Sequence, residues 1–297
     1  MSRFLTMSVL LWIFLAAGIQ SQTKRALVIG IGLQEDKAWS KINGDKDVLY
    51  VEEMLENAGF GVIITLVNEQ ATKRGIIEAF KHLETSCQVG DVVYVHFSGH
   101  GQQMKDLHND ETDGLDECWI PYDAYRKPCK KDFGEKHLSD DEVNVWLNAI
   151  RDKVGDSGKI LVIVDACHSG GATRGDEEEV VRGVADVFEA ISAYFERTVD
   201  DRRGRVVNPD ARPLAERWIT VSACKSSQQN LEMRNPAVGK LTYALYQMIQ
   251  KWPDGDNQEF FRHIRKFVNS NTGSRPQTPL MTGETDRFRI TDILRQW

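Results

Sequence analysis

The chain has 297 residues, which is long enough for one large domain or two small ones. Its content of 41% hydrophobic and 27% charged residues is that of an ordinary soluble globular protein, so disorder is not the default interpretation. The formal net charge of -7 disfavours a dedicated nucleic-acid-binding protein, because neutralising phosphates needs a basic face. Peptides that carry basic residues are more natural partners for such a chain.

The first residues have the layout of a secretory signal peptide. Arg3 precedes an apolar run over residues 9–17, and small and then polar residues follow. The run is too short for a comfortable membrane span, so we expect cleavage near residue 21 and no stable span afterwards. The protein is then secreted or periplasmic. A retained N-terminal anchor is the alternative.

Five cysteines make an odd count in a chain that is expected to reach an oxidising compartment. One thiol must stay unpaired, and reactivity is a common reason to keep it. No two cysteines have the spacing of a zinc site. A bridge between Cys118 and Cys129 is left open by the sequence and has no support from it.

Short runs rich in β-branched residues alternate with longer amphipathic stretches. This pattern predicts an α/β domain with a mostly parallel sheet and helices on both faces. The predicted strands are residues 26–31, 61–67, 91–97, 160–164 and 218–222. The predicted helices lie near residues 45–58, 73–84, 139–151, 239–251 and 258–270, and Ser139 with Glu142 predicts a capping box.

The pattern breaks down between residues 173 and 213. An acidic run over residues 176–179 is followed by scattered arginines, which indicates an exposed insertion within one domain. We therefore expect a single domain over residues 22–297, with a larger part 22–173, a charged linker 174–213 and a smaller part 214–297. The middle of the insertion, residues 178–196, is compatible with a helix.

Two predicted strands end in small residues and glycine, with the sequences HFSGHG at 96–101 and DACHSG at 165–170. In an open parallel sheet the carboxyl ends of strands line the functional crevice, so His100 and Cys167 should lie there together. A neighbouring imidazole favours the thiolate of a cysteine and can protonate a leaving amine. Backbone N–H groups of Gly101 and Cys167 are the natural donors to an oxyanion.

Strand periodicity places Asp165 on the side of Cys167, and Ser98 on the side of His100, so that an acid lies where a substrate cation could meet it. The alternatives are ordinary ones. A cysteine after a strand is more often a buried small hydrophobic residue than a nucleophile. Among the other histidines, His96 could be a satisfied core residue, and His168 is too close in sequence to reach its neighbour's sulfur easily.

Eight motifs then resemble, in order, those of metacaspases within the caspase-like cysteine peptidases. They are RALVIGIG, YVHFSGHG, DETDGLDECWIPYD, LSDDEVNVWL, KILVIVDACHSGG, WITVSACKSSQQNLE, GKLTYALYQMI and QTPLMTG, which run from about Lys24 to Gly283. The resemblance, to a secreted member of bacterial type, implies a caspase–hemoglobinase fold: a three-layer sandwich around a six-stranded sheet. It also implies His100 as base and Cys167 as nucleophile.

The resemblance further implies cleavage after Arg or Lys, with Asp165, Asp47 and Ser98 in the substrate pocket. The chain departs from the family pattern near Asp47, because Gly44 stands where the family often has cysteine. For Asp47 the alternative role is a carboxylate that interacts with a helix dipole.

Activation by calcium is another trait that the resemblance implies, with Asp116, Asp140 and Asp141 as the matching acids. The acidic loop 108–117 is no EF-hand, because Asn109 and Ile120 stand where that motif has its first and last ligands. A solvated acidic loop is the alternative.

The sequence thus predicts a monomeric cysteine endopeptidase that cleaves after Arg or Lys through a thioester acyl-enzyme and needs no cofactor for its chemistry. An inactive caspase-fold binding module and a related peptidase specific for Asn or Asp are the alternatives. An enzyme selective for basic residues would also cut its own exposed linker. The candidate sites are Arg174, Arg182, Arg197, Arg202 and Arg203, with Arg205 and Arg212 beyond them.

Overall fold

The computed structural model describes residues 22–105, 114–167, 180–190, 216–271 and 275–295. The predicted signal peptide, residues 1–21, lies outside them. Within these ranges no helix is both long enough and apolar enough to cross a membrane.

A six-stranded sheet forms the centre of the protein, in the order β11-β8-β7-β3-β1-β2. Its strands are β1 (Lys24–Gly30), β2 (Val62–Val67), β3 (Val92–Ser98), β7 (Lys159–Asp165), β8 (Ile219–Ser222) and β11 (Leu280–Gly283). All neighbours are parallel except β11, which runs antiparallel to β8 at one edge. The predicted mostly parallel sheet is confirmed.

Helices cover both faces of this sheet. One face packs against α1 (Gly44–Asn57), α4 (Lys240–Lys251), α5 (Asn257–Ser270) and α6 (Ile290–Leu294), and the other against α2 (Lys73–Ser86) and α3 (Asp140–Val154). Along β1 the fully buried side chains alternate between the two layers: Val28 joins the first and Leu27 the second. Burial on both faces explains why the strands have continuous apolar sequences.

Two smaller β units stand beside the main sheet. An antiparallel sheet contains β4 (Gly101–Lys105), β5 (Leu115–Trp119) and β6 (Leu138–Ser139). A hairpin pairs β9 (Glu232–Arg234) with β10 (Ala237–Gly239). These strands and β11 were not predicted, because they are short and carry too few apolar residues to show a period.

The five predicted strands and five predicted helices all occur, with ends within three residues of those expected. The predicted capping box also forms: Glu142 N donates to Ser139 Oγ, and Ser139 N donates to the Glu142 carboxylate, both at 3.3 Å. The acids that follow Ser139 then lie in the first turn of α3.

Two structures that the sequence left open do not form. The first is a helix over residues 178–196: its described part, residues 180–190, is not helical, because its backbone groups bond to Asn230, Glu232 and Gln103 across the molecule and do not form the repeating bonds of a helix. A bridge between Cys118 and Cys129 does not form either: both cysteines are free, and only Cys118 is buried.

Candidate active site

The two glycine-containing strand ends meet at one edge of the sheet. Ser98, the last residue of β3, lies directly opposite Asp165, the last residue of β7. His100 and Cys167 each follow two residues later. The parallel register therefore brings His100 and Cys167 to the same edge of the sheet.

His100 is fully buried and faces a backbone carbonyl with one ring nitrogen. Its Nε2 lies 2.8 Å from the carbonyl oxygen of Ser40, and its ring stacks on Trp39 with 5.0 Å between centroids. Burial, together with the positive charges of Arg182 and Arg126, lowers the pKa of His100 to about 4 despite the hydrogen bond to Ser40, which acts in the opposite direction. The ring is then neutral at pH 7 with its proton on Nε2, so Nδ1 is a lone-pair acceptor.

Cys167 holds a peptide carbonyl from the linker. Its backbone N–H donates to the carbonyl oxygen of Arg182 at 2.8 Å. A methyl group added to Gly183 would overlap the carbonyl oxygen of Cys167 and lie 3.2 Å from Cys167 Cβ, so Gly183 packs closely against Cys167, mainly against its backbone. The thiol itself donates to Gln228 O at 2.7 Å. Gly101, the other predicted oxyanion donor, begins β4 and pairs with Trp119.

The side chain of Arg182 fills a buried acidic pocket. Its Nη1 lies 2.6 Å from Asp47 and 3.4 Å from Asp165, and its Nε donates to Glu232 at 2.9 Å. The Ser98 hydroxyl lies 3.4 Å from the same Nη1 and donates to Asp47 at 2.7 Å. The structure therefore brings together all three predicted pocket residues, Asp47, Asp165 and Ser98, around one guanidinium.

Neighbouring side chains orient the pocket acids. Asp165 accepts hydrogen bonds from Asn230 Nδ2 at 2.7 Å and from both the N–H and the hydroxyl of Thr242. Asp47 accepts the N–H of Gly239 at 2.9 Å. A methyl group on Gly239 would overlap Asp165 and lie 2.6 Å from Arg182 Nη1, so this position has room only for glycine.

The two aspartates respond differently to sharing one arginine. Burial raises the pKa of Asp47, and Arg182 offsets this only in part. Burial alone would also raise the pKa of Asp165, but Arg182 and the hydrogen bonds from Asn230 and Thr242 bring it below its usual value. Asp165 is therefore the more firmly ionised of the two.

Comparison with known proteins identifies the family. The family model described as "Caspase domain" matches residues 23–289. The chain belongs to the caspase family. Metacaspase-1B of Aspergillus fumigatus is 28% identical to it, over 86% of this chain and 68% of the relative, and metacaspase-1 of Schizosaccharomyces pombe is 25% identical, over 86% and 66%. The protein is a metacaspase-like cysteine peptidase.

Solved structures agree on the fold. A Geobacter sulfurreducens protein superposes with a TM-score of 0.61 at 23% identity, covering 88% of the peptidase and 92% of that chain. Caspase-1 from Spodoptera frugiperda gives a TM-score of 0.52 at 10% identity, with coverages of 88% and 86%. At these identities the likeness concerns the fold alone.

His96 lies next to the acidic pocket and contacts the Ser98 hydroxyl. It is fully buried, with Nδ1 3.0 Å from the Tyr94 hydroxyl and Nε2 3.0 Å from Ser98 Oγ. Burial lowers its pKa to about 4, which keeps it neutral. This is the satisfied core histidine that the sequence left open. The other competing histidine, His168, lies outside the described residues.

The remaining cysteines of the peptidase are mostly buried thiols. Burial raises the pKa of Cys87 to about 12 and that of Cys118 well above its usual value. A hydrogen bond with the neighbouring Cys167 sulfur, together with burial, also raises the pKa of Cys224. Cys129 is half-buried. Three of the four thus resist ionisation at neutral pH.

The three predicted calcium ligands lie near one another. Asp140 and Asp141 form the first turn of α3, and Asp116 lies on β5, which pairs with β6 just before that helix. Burial and the charges of Asp141, Glu117 and Asp116 raise the pKa of Asp140 to about 8. Among the described residues, however, no group of three or more acidic, histidine or cysteine side chains converges as a metal site. The loop 106–113 between β4 and β5 lies outside them.

Of the predicted self-cleavage sites in the peptidase, only Arg182 falls within the described residues. Arg174, Arg197, Arg202, Arg203, Arg205 and Arg212 lie outside them. Sequence reasoning missed Glu232, Asn230, Thr242 and Gly239. Asn230 and Glu232 are polar residues two apart beside a buried leucine, an alternation that signals one polar face on a short strand.

Proposed function

We propose that this caspase-family cysteine peptidase cleaves peptide bonds on the carboxyl side of Arg or Lys, and that it processes itself at the bond between Arg182 and Gly183. One observation carries the proposal: an arginine of the chain is buried in an acidic pocket while its own carbonyl oxygen accepts the N–H of Cys167. That is how a substrate residue before a scissile bond must lie.

The proposed chemistry gives one role to each of the two strand-end residues. The Cys167 sulfur attacks the carbonyl carbon of the basic residue, and the developing oxyanion accepts a hydrogen bond from the Cys167 N–H. His100 takes the thiol proton and gives it to the leaving amine, which produces a thioester. Water, deprotonated by His100, then hydrolyses the thioester and frees the thiol.

The charge of the pocket favours the binding of a basic substrate residue over an acidic one. Three carboxylates, those of Asp47, Asp165 and Glu232, lie within 3.4 Å of the guanidinium nitrogens. A substrate aspartate in their place would add like charge in a buried site, and a substrate asparagine would leave those carboxylates without a cation. Both alternatives are therefore disfavoured, and a binding module without activity has no need for such an arrangement beside a thiol.

Backbone pairing supports the direction in which a substrate binds. Arg182 N donates to Asn230 O at 2.9 Å, and Glu232 N donates to Val180 O at 3.0 Å. The residues before the bond thus add an antiparallel strand beside residues 230–232, a common mode of peptide recognition. Substrates would take the same bonds after the linker has left.

Calcium as an activator is a further part of the proposal. Asp140 and Asp141 at the start of α3 lie near Asp116 on β5, and burial with the neighbouring acids raises the pKa of Asp140, so a hard divalent cation would favour its ionised form. No step of the peptide cleavage requires the ion.

A fluorogenic-peptide assay tests the proposal. Peptides that differ only in Arg, Lys, Asp or Asn before the fluorophore are compared with and without calcium. We expect hydrolysis of the Arg and Lys peptides and none of the Asp peptide. Equal hydrolysis of the Arg and Asp peptides would overturn the specificity.

A further inference from the structure

The linker that enters the active site is held at two points. Among residues 180–190, only Arg182 and Phe188 are buried, with Phe188 1% exposed. Phe188 is the sixth residue after the bond between Arg182 and Gly183. The residues between them are half-buried or exposed, so the segment is fixed by its two ends.

Phe188 inserts into an apolar pocket beside the active site, which we call the distal pocket. Its ring lies 4.2 Å from that of His137, measured between centroids. The other walls are the apolar side chains that cluster with it, namely Trp39, Met104, Cys118, Ile120 and Ala124. Trp39 also stacks on His100, so the distal pocket and the catalytic crevice share a wall.

One side-chain and one backbone hydrogen bond hold the segment along β4 on its way to this pocket. Gln102 Nε2 donates to the carbonyl oxygen of Asp186 at 2.9 Å, and Phe188 N donates to Gln103 O at 2.7 Å. Strand β4 begins immediately after His100, so the same strand carries the chain away from the scissile bond. Any peptide that runs in this direction meets the same donors and acceptors.

The walls are held by bonds that do not involve the segment. Trp39 Nε1 donates to Ala124 O at 3.0 Å, and the Gln102 side chain bonds to His137 Nε2 at 3.0 Å. The pairing of β4 with β5 fixes Met104. The pocket therefore keeps its shape when Phe188 leaves, as a binding site must.

An ion pair holds the segment between its two buried residues, Arg182 and Phe188. Arg126 Nη2 contacts the Asp186 carboxylate at 2.7 Å, and the Arg126 backbone N–H is fixed by Asp36 at 2.9 Å. This pair is partly exposed, so it adds less than the buried ring does.

On these grounds we propose that the peptidase reads its substrates at a second site, six residues beyond the cleaved bond, where the distal pocket accepts a large apolar side chain, with Arg126 favouring an acid two residues before it. The inference rests on the proposed cleavage after basic residues. It restricts good substrates to protein segments that extend at least six residues past the bond.

Internally quenched peptides test this directly. The parent peptide has the sequence of residues 179–190, a second carries Ala in place of Phe188, and a third carries Ala in place of the half-buried Val187 as a matched control. The enzyme is the Phe188→Ala variant, which has lost its own occupant of the pocket. We expect kcat/KM to fall about tenfold or more for the second peptide, and less than about twofold for the third. In the self-processed wild-type enzyme its own Phe188 competes for the pocket, so the peptides should rank in the same order but with smaller differences in kcat/KM. This enzyme replaces the variant if the variant fails to fold.

A comparison of two single variants tests the contact between Arg126 and Asp186. Arg126→Gln should abolish the preference for the Asp186 peptide over its Asn counterpart, a preference of up to about fivefold in the wild type. Lys127→Gln, the same change at the exposed neighbouring residue, should keep it. Equal preferences in both variants would remove Arg126 from the site.

A short fluorogenic substrate that ends at Arg separates the two proposals. If the enzyme cleaves it but treats the Phe and Ala peptides alike, the distal pocket is not a substrate site. If the enzyme does not cleave it and leaves the long peptides intact, the proposed function itself fails.

Discussion

The backbone N–H of Cys167 donates to the carbonyl oxygen of Arg182 at 2.8 Å. This bond joins a residue that follows the end of a central strand to a residue later in the chain, and Gly183, the next residue, packs closely against Cys167. Arg182 therefore occupies the acidic pocket next to Cys167, and the following predictions depend on that arrangement.

Cys167→Ala and His100→Ala should each abolish hydrolysis of Arg substrates while leaving the fold intact. The double variant should be no worse than either single one, because the two residues act as one unit. Turnover is measured by kcat/KM and folding by circular dichroism. A peptide-based electrophile should label Cys167. Labelling of Cys224, together with turnover by Cys167→Ala, would contradict the assignment.

Asp165→Asn should lower kcat/KM for Arg substrates by at least about a hundredfold, because a buried cation loses a charged partner. Alkylation of the Cys167 thiol by iodoacetamide should change far less. Asp47→Asn should act in the same direction. Asp45→Asn, in the same first turn of α1 but outside the pocket, is the matched control and should leave turnover near that of the wild type.

Acid should destabilise the fold partly through His100. The folded pKa is about 4 and the unfolded value about 6.5, so between these values the unfolded chain binds more protons, and stability is lost as the pH falls. Between pH 7 and pH 5 this amounts to about 2 kcal/mol. Urea unfolding of Cys167→Ala should therefore show a loss about 2 kcal/mol larger than that of Cys167→Ala/His100→Ala. Equal losses in the two proteins would mean that folding does not lower the pKa of His100.

Removal of calcium with a chelator should lower activity, and added calcium should restore it. Asp140→Asn should require more calcium for half-maximal activity, because Asp140, with its pKa raised to about 8, would ionise when the cation binds and asparagine cannot. Asp152→Asn, on the exposed end of the same helix, should respond as the wild type does. An unchanged calcium response in Asp140→Asn would dismiss this site.

The central sheet and most helices could be predicted because burial on both faces leaves continuous apolar runs that only such strands produce. Val92–Ser98 and Lys159–Asp165 are examples, and their glycine-containing ends located His100 and Cys167. The residues of the acidic pocket could be predicted only in part. Glu232 and Thr242 come from a short hairpin and the helix after it, and no local period relates them to Asp165.

The structure of the linker was the hardest part to predict from the sequence, for a physical reason. Its charge and its arginines are typical of exposed loop, yet Arg182 is fully buried, because Asp47, Asp165 and Glu232 compensate its charge. Such compensation depends on residues up to 135 positions away in sequence. No pattern within the linker itself could reveal it.

N-terminal sequencing of self-processed fragments tests the central claim most directly. The account predicts a fragment that begins at Gly183 in the active protein and is absent from Cys167→Ala and from Arg182→Ala, while Arg182→Lys still produces it. A Gly183 fragment from Cys167→Ala would assign the cut to another protease. Fragments that begin only after other arginines, unchanged in Arg182→Ala, would contradict the claim that Arg182 lies in the active site as a substrate.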